Sequence, residues 1–114
     1  MSYRVVLSPS FKRSIARLKR FRHVKDDVRD AVRTLLEGPE LGAVIPGGGG
    51  ARKLRVRNSD ISKGKSGGYR LIYYVETSPV PTIYLLLMYS KLDKDDVTRQ
   101  ELEDLIREIS ASDL

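Results

Sequence analysis

Lysines, arginines and tyrosines are the residues whose grouping in this chain suggests chemistry. Lys53, Arg55, Lys63, Lys65 and Arg70 surround one predicted loop, and Tyr89 and Lys91 fall at the end of a predicted strand, on one pleat face. Such groups suit attack on a phosphodiester. Fixed cations stabilise the charge that builds on a phosphorane-like transition state. A Lys or Tyr whose pKa is lowered by neighbouring cations serves as acid or base. The plainer reading of the same residues is a core tyrosine, a solubilising lysine and a turn, and residue types alone leave both readings open.

Other chemistries fall away quickly. The chain has no cysteine, which removes thiol nucleophiles, disulfide frameworks and Cys-rich zinc sites. Its single histidine, His23, sits between two predicted helices and reads as structural or solvated. The acids cluster on predicted helices, where carboxylates usually face solvent. Gly64-Lys65-Ser66 ends like a nucleotide-binding P-loop, but the position that needs the earlier glycine is Ser59, and no strand-to-helix transition surrounds it. No helix follows the run Gly47 to Gly50, so it is no dinucleotide fingerprint and reads as a flexible loop. No metal and no cofactor are expected.

The 114 residues suffice for one domain, spanning 1–114, with one core. The charge balance is uneven. Residues 1 to 25 hold eight basic groups and no acid, and residues 51 to 70 hold seven basic groups and one acid, Asp60. The net charge is +6, yet residues 91 to 114 sum to −4. Two positive zones suit a polyanion, and the negative segment leaves room for a protein partner. The N-terminal residues lack a signal-peptide pattern, and the longest apolar run, Ile83 to Tyr89, has seven residues against the roughly 20 of a membrane helix. A cytoplasmic protein without a membrane partner is expected.

The elements that must position the cations follow from periodicity. Residues 3 to 7 read as a strand. Ser8 and Pro9 start a helix as N-cap and first position, and Phe11, Ile15 and Leu18 give it an apolar face. A second helix carries Val24, Val28, Ala31, Val32, Leu35 and Leu36 and stops at Gly38-Pro39. Leu41 to Gly50 reads as loop. In Lys53 to Arg57 the strict alternation turns Leu54 and Val56 inward and Lys53, Arg55 and Arg57 outward. Strands over Tyr69 to Val75 and Thr82 to Ser90 follow. Ile83 to Tyr89 is apolar on both pleat faces, as in a strand covered on both sides or in a homodimer. Thr98 to Glu101 fits a capping box before a last amphipathic helix. The order is β-α-α-β-β-β-α, an α+β domain with an antiparallel sheet and a helical hairpin on one face.

Arg52 to Val56, Lys63 to Tyr74, Tyr84 to Lys91, Asp96-Val97-Thr98 and Glu101, preceded by Pro39 to Gly47, together resemble the RelE/ParE superfamily of type II toxins, most closely the HigB branch of RelE-like toxins. The resemblance implies a single RelE-like toxin domain that cleaves mRNA in the ribosomal decoding site. It implies attack by the ribose 2′-OH on the adjacent phosphate, without metal or water. A cognate antitoxin from an adjacent reading frame is expected to mask the basic face. The candidate catalytic set is Lys53, Arg55, Arg70, Tyr89 and Lys91, of which all but Tyr89 are carried over from the resemblance. Lys53 and Arg55 match two outward basic positions, Arg70 the arginine of a Gly-Tyr-Arg motif, and Lys91 a basic position after the last strand. Arg52, Arg57, Lys63 and Lys65 are the implied RNA-binding residues, and Arg70 is expected at the surface. Where RelE proper has an arginine after that lysine, this chain has Leu92; where it has a C-terminal tyrosine, this chain has Thr98. These departures leave the general acid and base unassigned, with Tyr89 and Lys65 as candidates. They also keep two alternatives open: a ParE-type, non-enzymatic inhibitor of DNA gyrase that binds through the helical hairpin, and a decayed toxin serving as a binding module.

Overall fold

The computed structural model describes residues 2–61 and 68–112. Its elements are β1 (Arg4–Leu7), α1 (Pro9–Arg17), α2 (Val24–Glu37), β2 (Ala43–Val44), β3 (Arg52–Val56), β4 (Tyr69–Glu76), β5 (Thr82–Ser90) and α3 (Arg99–Ser112). The strands form one sheet in the order β1-β5-β4-β3-β2. This is the expected α+β fold with helices packed against a sheet.

Local chemistry starts and stops the helices. Ser8 caps α1, its Oγ accepting from Phe11 N at 3.1 Å, with Pro9 at the first position. Gly38 ends α2. Thr98 and Glu101 close a capping box: Glu101 N donates to Thr98 Oγ1 at 3.1 Å, and Thr98 N donates to Glu101 Oε1 at 2.9 Å.

Two points of topology depart from the expectation. β2, β3, β4 and β5 pair antiparallel in turn, but β1 runs parallel to β5, so the sheet is mixed. No tight turn links β1 to β5, so nothing forces them antiparallel. Ser8 N instead continues the β1 ladder to Leu85 O at 3.1 Å just before α1 turns back over β5. The second departure is β2, two exposed residues inside what reads as a loop.

The sheet is covered on both faces. Phe11, Leu18, Phe21 and Leu35 of the hairpin side pack on Tyr69, Leu71, Tyr73, Ile83 and Leu85. Leu102, Leu105 and Ile109 of α3 pack on Ile72, Tyr84 and Leu86. Both faces of β5 therefore find cover within the chain. Among the described residues no helix is long and apolar enough to cross a membrane.

The connections are more tightly built than their composition suggests. Gly47, Gly49 and Gly50 take φ of 68°, 66° and 96°, which explains glycine there. Ile45 N donates to Ala51 O at 2.9 Å across them, and Ala51 is fully buried. The run is thus a hydrogen-bonded turn, where a flexible loop was expected. The fully buried Tyr73 ties down the next stretch, its Oη accepting from Gly42 N and donating to Pro39 O, both at 2.8 Å. Tyr73→Phe is expected to cost about 1–3 kcal/mol in urea unfolding, because a buried N–H loses its acceptor. A cost below about 0.5 kcal/mol would mean that the turn opens to water instead.

Not every helical acid faces solvent. Asp27 of α2 is buried and accepts from Ser59 N at 3.0 Å and Ser59 Oγ at 3.1 Å. His23 does take a structural part. Its Nδ1 meets Asp60 Oδ1 at 2.7 Å and its backbone N–H donates to Asp60 Oδ2 at 2.8 Å. These two bonds hold the Asp60 carboxyl below its ordinary pKa.

Candidate functional site

Strand register assembles the cations. Arg55 of β3 lies directly opposite Arg70 of β4, which lies directly opposite Tyr89 of β5. Residues paired in this way share a pleat face, so the three form a row across the sheet. Lys53, two positions before Arg55, points to the same face and pairs with Ile72. Lys91, two positions after Tyr89, extends the β4–β5 ladder through Lys91 N to Gly68 O at 3.1 Å. The five residues assigned to catalysis thus come to one end of one face, the face on which α3 packs.

A bulge makes this possible. Ile72 pairs with Leu87, but Tyr73 pairs with Leu85, so Leu86 is an extra residue in β5. Strict alternation from Ile83 and Leu85 would have sent Tyr89 into the hairpin core. The extra residue reverses the phase and sets Tyr89 beside Arg70.

The electrostatics differ from the expectation in two places. Arg70 is not a surface residue: it is 8% exposed, and its Nη1 donates to Tyr69 O at 3.1 Å. Alternation tells which face a residue takes, not how far that face is covered; α3 packs on it at Ile72, Tyr84 and Leu86. Burial, then the Arg55 charge, lowers the Arg70 pKa. Like charges directly opposite each other on a sheet cost stability. Tyr89, 6% exposed, shifts opposite to the expected lowering: burial first, then the Asp96 charge, pushes its pKa up to about 12 against the pull of Arg70. It keeps its proton at neutral pH. Among the described residues its Oη has no hydrogen-bond partner.

The loop after β5 supplies Asp96, which carries part of the resemblance but to which sequence reasoning assigned no role. Lys53 Nζ lies 2.9 Å from Asp96 Oδ1, and this bond, with one from Val97 N, holds the Asp96 carboxyl below its usual range. An ion pair across 43 residues leaves no periodic signal in a sequence. Lys91 Nζ donates to Asp95 O at 2.6 Å, and Lys94 Nζ meets Glu101 Oε2 at 2.6 Å.

Of the residues assigned to RNA binding, the two that are described, Arg52 and Arg57, are not gathered with this set. Arg52 pairs with Tyr73 on the hairpin face and spends its Nη1 on the carbonyls of Glu40 at 3.1 Å and Gly42 at 2.8 Å. Arg57 is exposed just past β3, where it lines a cleft of about 400 Å³ with Asp26, Asp27 and Asp30 of α2. Lys63 and Lys65 lie outside the described residues. Thr98 is the helix cap it was expected to be, and Leu92 is exposed. Among the described residues no group of three or more His, Cys, Asp or Glu is gathered to hold a metal ion. What remains is a compact cationic platform over a protonated tyrosine, suited to gripping a phosphate and stabilising added charge on it.

One comparison with known proteins bears on this arrangement. Residues 5–86 match the model of a family described as the ParE toxin of the type II toxin–antitoxin system, parDE. That span carries the helical hairpin, β2, β3 and β4, and with them Lys53, Arg55 and Arg70. Membership implies a cognate antitoxin as partner. The chain belongs to the ParE toxin family of type II toxin–antitoxin systems.

Proposed function

We propose that this toxin is a ribosome-dependent mRNA endonuclease acting by attack of a ribose 2′-OH on the adjacent phosphate. The observation that carries this reading is the row Arg55–Arg70–Tyr89 with Lys53 and Lys91 at its flanks. Setting two arginines directly opposite each other costs the fold stability, whereas a phosphorane-like transition state gains from both. In the reaction the bond from the 2′ oxygen to phosphorus forms and the bond from phosphorus to the 5′ oxygen breaks. One proton leaves the 2′-OH and one is taken up by the 5′ oxygen. The products are a 2′,3′-cyclic phosphate and a 5′-OH, and no metal or water is consumed. Tyr89 keeps its proton, so it is not the base, and its buried Oη reaches a leaving 5′ oxygen only if the site opens on substrate binding. The likeness of residues 39 to 101 to the HigB branch supports the same reading.

The second reading is a non-enzymatic DNA gyrase inhibitor. The match to the ParE family and the burial of Arg70 favour it. Brief induction in cells followed by mapping of mRNA 5′ ends separates the two. Codon-phased cuts bearing 5′-OH ends are expected. Intact mRNA with DNA damage would transfer the assignment to gyrase.

A further inference from the structure

We propose that Asp96 is an internal stand-in for the substrate phosphate, so that a phosphate enters this site by exchange for a carboxylate. The inference deepens the reading above and rests on its phosphate-binding site. Lys53 stands on β3 and Asp96 on the loop after β5, and β4 lies between those strands. Their 2.9 Å pair therefore spans β4, on the face that carries Arg70. Asp96 Oδ1 takes a second hydrogen bond, from Val97 N at 2.8 Å, which holds the carboxylate in place. The loop that bears it is braced in turn: Asp93 N and Lys94 N both donate to Ser90 O, Leu92 N donates to Ser90 Oγ, and Lys91 Nζ holds Asp95 O. The carboxylate is thus delivered to a site of cations by a built loop.

A carboxylate and a phosphate offer the same thing to Lys53, an anionic oxygen acceptor at hydrogen-bond distance. The pair is open to exchange, because the Asp96 side chain is 62% exposed and that of Lys53 is 32% exposed. An exposed pair of this kind holds weakly enough for a backbone phosphodiester, which also reaches Arg55 and Arg70, to displace it. The resting site thereby keeps one cation neutralised and sheds polyanions that cannot also engage Arg55 and Arg70.

The probe is inorganic pyrophosphate, titrated calorimetrically into the purified chain. Asp96→Asn keeps the bond from Val97 N and removes the charge. It is expected to tighten pyrophosphate binding about three- to fivefold, the worth of an exposed ion pair. Glu37→Gln makes the same change of net charge at the exposed end of α2, outside the cleft that Arg55 lines, and is expected to alter binding less than twofold. In the Lys53→Ala background the gain from Asp96→Asn should vanish, since the two residues act on one another. A loop strut of purely structural value would lower affinity when altered, not raise it. Equal affinity of wild type and Asp96→Asn, a gain that survives Lys53→Ala, or no pyrophosphate binding by either protein would overturn the inference. Ribosomal mRNA cleavage is scored separately on the same proteins. Its absence alongside a Lys53-dependent gain would sink the endonuclease reading and leave the exchange standing.

Discussion

Arg70→Met is expected to abolish mRNA cleavage while leaving the protein folded. Loss of one preorganised donor to an oxyanion typically costs about 100-fold or more in rate, and Arg70 is central in the row. Stability should stay within about 1 kcal/mol of wild type, because the terms oppose each other. The substitution forfeits the bond to Tyr69 O, but it also removes a buried charge set directly against Arg55. Methionine keeps most of the side-chain volume at a position 8% exposed. Arg70→Ala should lose the same activity with an added penalty for the space left behind. Lys53→Ala and Arg55→Ala should weaken cleavage less. Urea unfolding and cleavage on purified ribosomes measure the two effects. A folded and fully active Arg70→Met protein would move the site elsewhere.

Binding to single-stranded RNA should fall steeply with salt. If Lys53, Arg55, Arg70 and Lys91 each neutralise one phosphate, the logarithmic slope is about −0.7 per contact, or roughly −2.8 in all. Raising monovalent salt fourfold should then weaken binding roughly 50-fold. Anisotropy of a labelled RNA made wholly of 2′-O-methyl nucleotides, which the 2′-OH mechanism cannot cut, reads this directly. A shallow slope would count against a phosphate-led interface. The first reading would then lose the interaction that positions its substrate.

Much of this molecule is legible in its residues, for identifiable reasons. Ser8-Pro9, Gly38 and the pair Thr98 and Glu101 act on their own neighbours, so their effect can be read locally. The outward turn of Lys53 and Arg55 follows from the two-residue period of a strand. What was hidden is whatever depends on a distant partner. Ala43–Val44 is too short to show alternation and becomes a strand only through its pairing with Arg52 and Lys53. The parallel course of β1 depends on β5, far along the chain. Arg70 reads as exposed because nothing near it in sequence announces the helix that packs on its face. The raised pKa of Tyr89 comes from burial, which the spacing of cations does not report.

The pairing of β1 with β5 bears on how the protein is made. Arg4–Leu7 leaves the ribosome early, but its partner Thr82–Leu85 follows only after most of the chain has been synthesised. Contacts so far apart in sequence close late and slowly, because the ends of a long loop must first meet. Without β5, β4 lacks the partner on one of its edges and α3 lacks the strand on which it packs. Arg55, Arg70, Tyr89 and Lys91 have no common surface until β5 docks. A truncated product of an interrupted message would therefore expose an unpaired strand edge, inviting proteolysis, without ever presenting the assembled cations. Under the proposed function, the cations that act on the phosphate therefore come together only once β5 has docked.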